Sequence, residues 1–233
     1  MKDDGLAILA CLEQVGHERA LRAADPVLAA RVAEVKAWQR ARFTATYADL
    51  LADPRHAPAA RFFLDELYGP GDFSTRDDQF ARIVPALVRL FSAEVVATVR
   101  ALAQLHALSE QLDSAMAMAV VAAAAQAPRA TATPLTAPRY AAAWRAVGRA
   151  ADRERQIELL LAVGRALDQH TRRPLLRQAL RLMRKPAEAA GLGALQHFLE
   201  TGFDTFRAMH GADDFLSLIA QRERALAAQL FGT

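Results

Sequence analysis

The closest grouping of side chains able to do chemistry is His106, Glu110 and Asp113, spaced i, i+4 and i+7. Projected on a helix at about 100° per residue, His106 and Asp113 fall within about 20° of the line through Val95, Val99 and Leu102. Both therefore share an apolar face, with Glu110 at its border and Arg100, Gln104 and Gln111 on the solvated side. An ionisable group in a core must be paired, neutralised or coordinated, because an uncompensated one costs several kcal/mol. Three arrangements meet that demand. Arg76, Arg82, Arg145 or Tyr68 from neighbouring helices can satisfy a buried network. His106, Glu110 and Asp113 can ligate iron, manganese or zinc. His106 can act as a general acid or base, with Asp113 or Glu110 orienting the ring. Di-iron carboxylate bundles use paired Glu-x-x-His motifs, and this chain has none.

A second polar grouping lies in Phe62 to Asp78, FFLDELYGPGDFSTRDD. Between Tyr68 and Ser74 it holds two glycines, a proline, Asp72 and two aromatics, and it then presents Arg76 and Asp77 at the start of a helix. A tight corner accounts for the glycines and proline, with Asp72 as a local turn acceptor. Tyr68, Asp72, Arg76 and Asp77 beside helix N-terminal amides can also hold a polar ligand. A third candidate is the stripe Arg173, Arg177, Arg181 and Arg184 on one face of a helix whose other face carries Leu175, Leu176, Leu180, Leu182 and Met183. It reads as a solvated face, with an anionic partner as the alternative. No aromatics interleave the arginines, which disfavours nucleic acid. His197 and Glu200 stand at i and i+3, but Leu195, Leu199, Gly202, Phe206 and Met209 make the buried face, so that pair reads as solvated.

The elements that must carry these groups are helical. No stretch alternates in the β manner, and apolar residues recur at helical spacing. Asp25-Pro26 is an N-cap and N1 pair opening a helix with Leu28, Val32, Val35 and Trp38, which runs to Asp53-Pro54. Further helices are predicted at 57–68, 74–91, 92–126, 139–150, 152–170, 173–185, 193–209 and 213–230, with Ser74 and Asp77 resembling a capping box. The Pro/Thr-rich stretch 127–139 reads as an internal linker between an N-terminal half (1–126) and a C-terminal half (140–233). Each half has wide apolar faces, so one domain spanning 1–233 with a shared core is expected: an all-α layered bundle of about eight helices and no sheet.

Composition bounds the function. At 53% hydrophobic and 24% charged residues the chain is suited to globular folding. Its longest apolar run, Ala115 to Ala125, falls short of the roughly 20 residues a membrane span needs. Cys11 is the single cysteine, which excludes a disulfide within the chain and suits the cytoplasm. The net charge of +3 is uneven: residues 1–130 hold 14 basic and 16 acidic side chains, and 131–233 hold 15 and 10. Walker, dinucleotide and nucleophile-elbow motifs are missing from the sequence.

The segment FFLDELYGPGDFSTRD, together with LHALSEQLD (105–113) and LRLMRKPAEAAGLGALQHFLETGF (180–203), resembles a family of uncharacterised bacterial helical proteins. The resemblance implies a helical, bacterial, cytoplasmic protein and brings no activity, cofactor or site residues. The residues themselves favour a non-enzymatic protein that binds a small polar ligand or a protein partner where the Tyr68–Asp77 corner meets His106. The alternatives are a metal- or haem-dependent bundle enzyme using His106 and a nucleic-acid or acidic-surface binder using the arginine stripe. No cofactor is favoured, and an apolar surface at Phe198 and Phe206 would equally serve a homo-oligomer.

Overall fold

The computed structural model describes residues 2–66, 73–125 and 134–232. Among them every element is an α-helix: α1 (Lys2–Ala24), α2 (Pro26–Thr46), α3 (Ala48–Ala52), α4 (Ala57–Glu66), α5 (Ser74–Leu90), α6 (Ala93–Ala125), α7 (Ala137–Val147), α8 (Ala150–Thr171), α9 (Pro174–Ala189), α10 (Gly193–Ala208) and α11 (Asp213–Phe231). The described residues thus form eleven helices where the sequence predicts about eight. Part of the difference is that the span predicted from Pro26 to Asp53 breaks at Tyr47, which caps α2 and leaves α3 as a separate single turn. Asp25 accepts hydrogen bonds from the backbone N–H of Val27 and Leu28, as its position before Pro26 predicts. Two boundaries move. Ala137, Pro138 and Arg139, expected in the linker, already belong to α7, because Pro138 is tolerated in a first turn whose N–H groups lack partners. Helix α9 runs past Lys185 through Pro186 to Ala189. The linker's residues 127–133 lie outside the described residues.

The 33-residue α6 is the organising element, packed against α1, α2, α7 and α8 and touching α5. That surround explains why it has so little solvated face: Arg100 is exposed, but Gln104 and Gln111 are half-buried. Three apolar clusters hold the helices together. One joins Phe43 and Tyr47 at the end of α2 to Phe63 of α4, Ile157 and Leu161 of α8, Phe206 of α10 and Phe215 of α11. A second packs Val32 and Val35 of α2 on Met116 and Val120 of α6, Tyr140 and Trp144 of α7, and Leu230 of α11, with Trp38 stacked on Tyr140 at 3.7 Å. The third joins Ile8 of α1, Val84 and Leu87 of α5, and Val96 and Ala103 of α6, with Cys11 packed against it. The first two clusters take residues from both sides of the 127–133 stretch. Gly164 of α8 makes a close helix crossing possible, since a Cβ there would sit 2.5 Å from Leu216 Cδ2. Among the described residues no helix is long and apolar enough to cross a membrane.

Candidate functional site

The polar residues singled out on α6 meet charged groups from α1, α2 and α5 in three linked sets. The first is centred on Asp77, in the opening turns of α5. Its carboxylate is 2.8 Å from His106 Nε2 and forms an ion pair with Arg19 of α1. Burial alone would push this carboxyl up, but the hydrogen bond from His106 and the charges of His106 and Arg19 outweigh it and hold Asp77 below its usual value. Arg76 is beside it, with Nε 3.8 Å from Asp77 Oδ1. The Arg76 guanidinium lies 4.3 Å from the Phe73 ring centroid and 4.5 Å from that of Phe198, and it donates to Glu66 at 2.7 Å. The predicted capping box does not form, because α5 begins at Ser74 itself with Phe73 in the capping position.

The second set is centred on Glu110, which pairs with Arg22 of α1 and takes a hydrogen bond from Lys36 Nζ of α2 at 2.6 Å. Arg22 also donates to the Glu110 carbonyl oxygen at 3.0 Å and to Ser114 Oγ at 3.1 Å. Burial opposes ionisation of Glu110, yet the two cations dominate and bring its pKa down to about 2. One helical turn on, Asp113 is treated differently. Gln39 Nε2 donates to it at 3.0 Å, while Lys36 stands 3.8 Å away. Here burial is the larger effect and pushes the Asp113 carboxyl up, with the neighbouring Glu110 charge adding to the rise against the pull of Lys36.

These sets face one cavity of about 130 Å³, lined by Arg76, Asp77, His106, Glu110 and Asp113 among others. The structure therefore brings together the five described members of the predicted ligand site; Tyr68 and Asp72 lie outside the described residues. Along α6 the lining changes character, from Val99, Leu102 and Ala103, through His106, to Ser109, Glu110 and Asp113. Those fourteen steps span about 21 Å at 1.5 Å per residue. Leu12, Ile83 and Leu87 close the apolar end, whereas Lys36, Gln39 and Gln156 stand with the polar groups.

Several expectations are corrected. Among the described residues no group of three or more His, Cys, Asp or Glu side chains is placed to hold a metal ion, so His106, Glu110 and Asp113 do not form the ligand set considered from their spacing. The reason is geometric: His106 turns to Asp77, while Glu110 and Asp113 turn to α2. Glu110, placed at the border of the apolar face, is more deeply buried than His106. The partners expected from Arg82 and Arg145 also differ, since those arginines donate to the carbonyl oxygens of Ala190 and Leu230. Arg19, Arg22, Lys36 and Gln39 take that role. Gln39 was detectable, because it continues the Leu28, Val32, Val35 and Phe43 stripe and is buried with it.

The arginine stripe is also reoriented. Arg173 pairs with Glu94 at 2.6 Å, Arg177 with Asp204 at 3.0 Å, and Arg184 donates through Nε to Glu200 at 3.1 Å. These contacts turn part of the stripe toward α6 and α10, while Leu175 and Leu182 on the apolar side are 77% exposed. The stripe thus meets protein carboxylates at three of its four positions. His197 is exposed as expected, but Glu200 is half-buried between α9 and α10.

A family model described as "Domain of unknown function (DUF8198)" matches residues 18–233, and the chain belongs to that family. No curated protein and no solved structure matches the chain.

Proposed function

We propose that this chain is a single-domain cytoplasmic binding protein for a small amphiphilic molecule, which lies along α6 with its tail between α1 and α5 and its polar head among Lys36, Gln39, Glu110 and Asp113. The lining of the cavity supports this reading: one helix presents apolar side chains at one end and charged ones at the other, with open volume between. The volume of about 130 Å³ is close to that of an engineered protein cavity of about 150 Å³ that takes up benzene, which sets the ligand at about six to ten heavy atoms. The half-buried Cys11 has no disulfide partner, which suits a reducing compartment.

The test is titration with hexanol, a neutral amphiphile of this size, followed by amide NMR. Shifts are expected on α5 and α6 around Ile83, Ala103 and His106. Ala103 lines the apolar end and is 2% exposed, so Ala103→Leu places new methyl groups in the open volume. This variant should stay folded at a cost of about 1–3 kcal/mol and lose hexanol binding at least tenfold. Shifts confined to other helices, or hexanol binding unchanged in Ala103→Leu, would refute the reading.

A further inference from the structure

The charge layering around the cavity distinguishes between classes of head group. Its described lining includes five carboxylates, Glu66, Asp77, Glu110, Asp113 and Glu223, against two permanent cations, Lys36 and Arg76. Three arginines that neutralise these acids stand outside the lining, while Arg76 and Lys36 pair with Glu66 and Glu110 from within it. Arg19 reaches Asp77, Arg22 reaches Glu110 and Arg42 reaches Glu223. The lining thus carries more carboxylates than permanent cations. Close charges dominate where water is excluded, because the energy varies inversely with both distance and local dielectric.

Within that lining Asp113 differs from its neighbours. Glu66, Asp77, Glu110 and Glu223 each have a cation within 3 Å. Asp113 instead takes a hydrogen bond from the neutral amide of Gln39, and its nearest cation, Lys36, is 3.8 Å away and already bonded to Glu110. Burial works against the ionised form of Asp113. A ligand donor with positive charge would compensate that burial, whereas a carboxylate would add a third anion beside Glu110 and Asp113.

Resting on the amphiphile reading above, we infer that the head group is a primary ammonium held by Asp113, so that the ligand class is a small amine with an unbranched apolar tail. The ammonium forms a charge-assisted hydrogen bond to an oxygen of Asp113, and the tail runs back along α6 past Ser109 and His106 toward Ala103. Lys36 and Gln39 act as positioning residues, Lys36 bridging Glu110 and Asp113 and Gln39 fixing the Asp113 carboxyl group.

The experiment compares hexylamine, hexanol and hexanoate by calorimetric titration of the full chain at neutral pH. Hexylamine is expected to bind about tenfold or more tightly than hexanol, in line with a hydrogen bond to a charged group, and hexanoate more weakly than either. In Asp113→Asn, which keeps the shape and an acceptor for Gln39, hexylamine should fall to within about threefold of hexanol while hexanol is unchanged. Equal affinity for hexylamine and hexanol, or tighter binding of hexanoate, would overturn the amine assignment and leave the amphiphile reading standing. Failure of all three to bind would overturn both. The wild-type comparison needs no variant, so poor folding of Asp113→Asn would not remove the test.

Discussion

Glu110→Gln separates the two cations of the second set from their counter-ion while keeping size and hydrogen-bonding capacity, and its cost can be worked out in two ways. The Glu110 side chain is 8% exposed, and those of Arg22 and Lys36 are 13% and 25% exposed. Removing one partner of a buried pair costs about 3–5 kcal/mol. Lys36 retains Asp113 at 3.8 Å, which sets the expectation at the lower end. Independently, lowering the pKa from 4.5 to about 2 corresponds to about 3 kcal/mol at about 1.4 kcal/mol per pH unit. For a chain of this size the loss lowers Tm by about 6–12 °C. Because the folded-state pKa is depressed, this stabilisation is present above the unfolded-state value and is lost as pH falls from 4.5 toward about 2. Urea denaturation followed by far-UV circular dichroism, repeated in steps of falling pH, should therefore show the wild-type advantage shrinking across that window. Combining Glu110→Gln with Lys36→Met should recover at least about 1 kcal/mol relative to the sum of the single variants. A neutral-pH loss below about 1 kcal/mol, or an undiminished difference at the acid end, would refute the assignment of Glu110 as the ionised centre of this set.

Two further variants test the packing. Gly164→Ala drives a methyl against Leu216, a 4%-exposed core side chain, at a cost of about 1–3 kcal/mol that is offset by about 1 kcal/mol of helix propensity; a net gain of about 1 kcal/mol in urea denaturation would refute the α8–α11 contact. Leu175→Ser with Leu182→Ser changes only side chains that are 77% exposed, so stability should stay within about 0.5 kcal/mol of wild type. A loss above about 1 kcal/mol in the same assay would mean that this side of α9 is covered.

Local signals in the sequence reach as far as individual helices. Asp25-Pro26 marks a helix start because capping and proline geometry are properties of adjacent residues, and the buried stripe of α2 is written at helical spacing. The polar residues of α6 could be recognised as candidates because charge on an apolar face needs an explanation. The corner holding Asp77 could be placed against His106, but the basic partners could not be named, since Lys36 and Glu110 lie 74 positions apart and Arg22 and Glu110 lie 88 apart, and no periodicity links such distances. Helix α9 shows a different limit. A helical projection separates the arginines from the leucines but does not say which side meets the protein, and neither side does so as a whole: Leu176, Leu180 and Arg177 are half-buried, whereas Leu175, Leu182, Arg173, Arg181 and Arg184 are exposed.

The cavity and the charge cluster bear on each other energetically. A buried charge cluster is weak evidence for stability, because apolar side chains of equal volume often serve the fold as well or better. Unfilled volume is also destabilising, and at about 24 cal/mol per Å³ a cavity of about 130 Å³ corresponds to as much as about 3 kcal/mol. This chain carries both features along the same helix. An amphiphile whose head group meets Asp113 and whose tail runs toward Ala103 would offset both costs at once. On the proposed reading, that coupling would account for polar residues kept beside open space in a fold otherwise closed by three apolar clusters, and α6 would be the element linking ligand binding to stability.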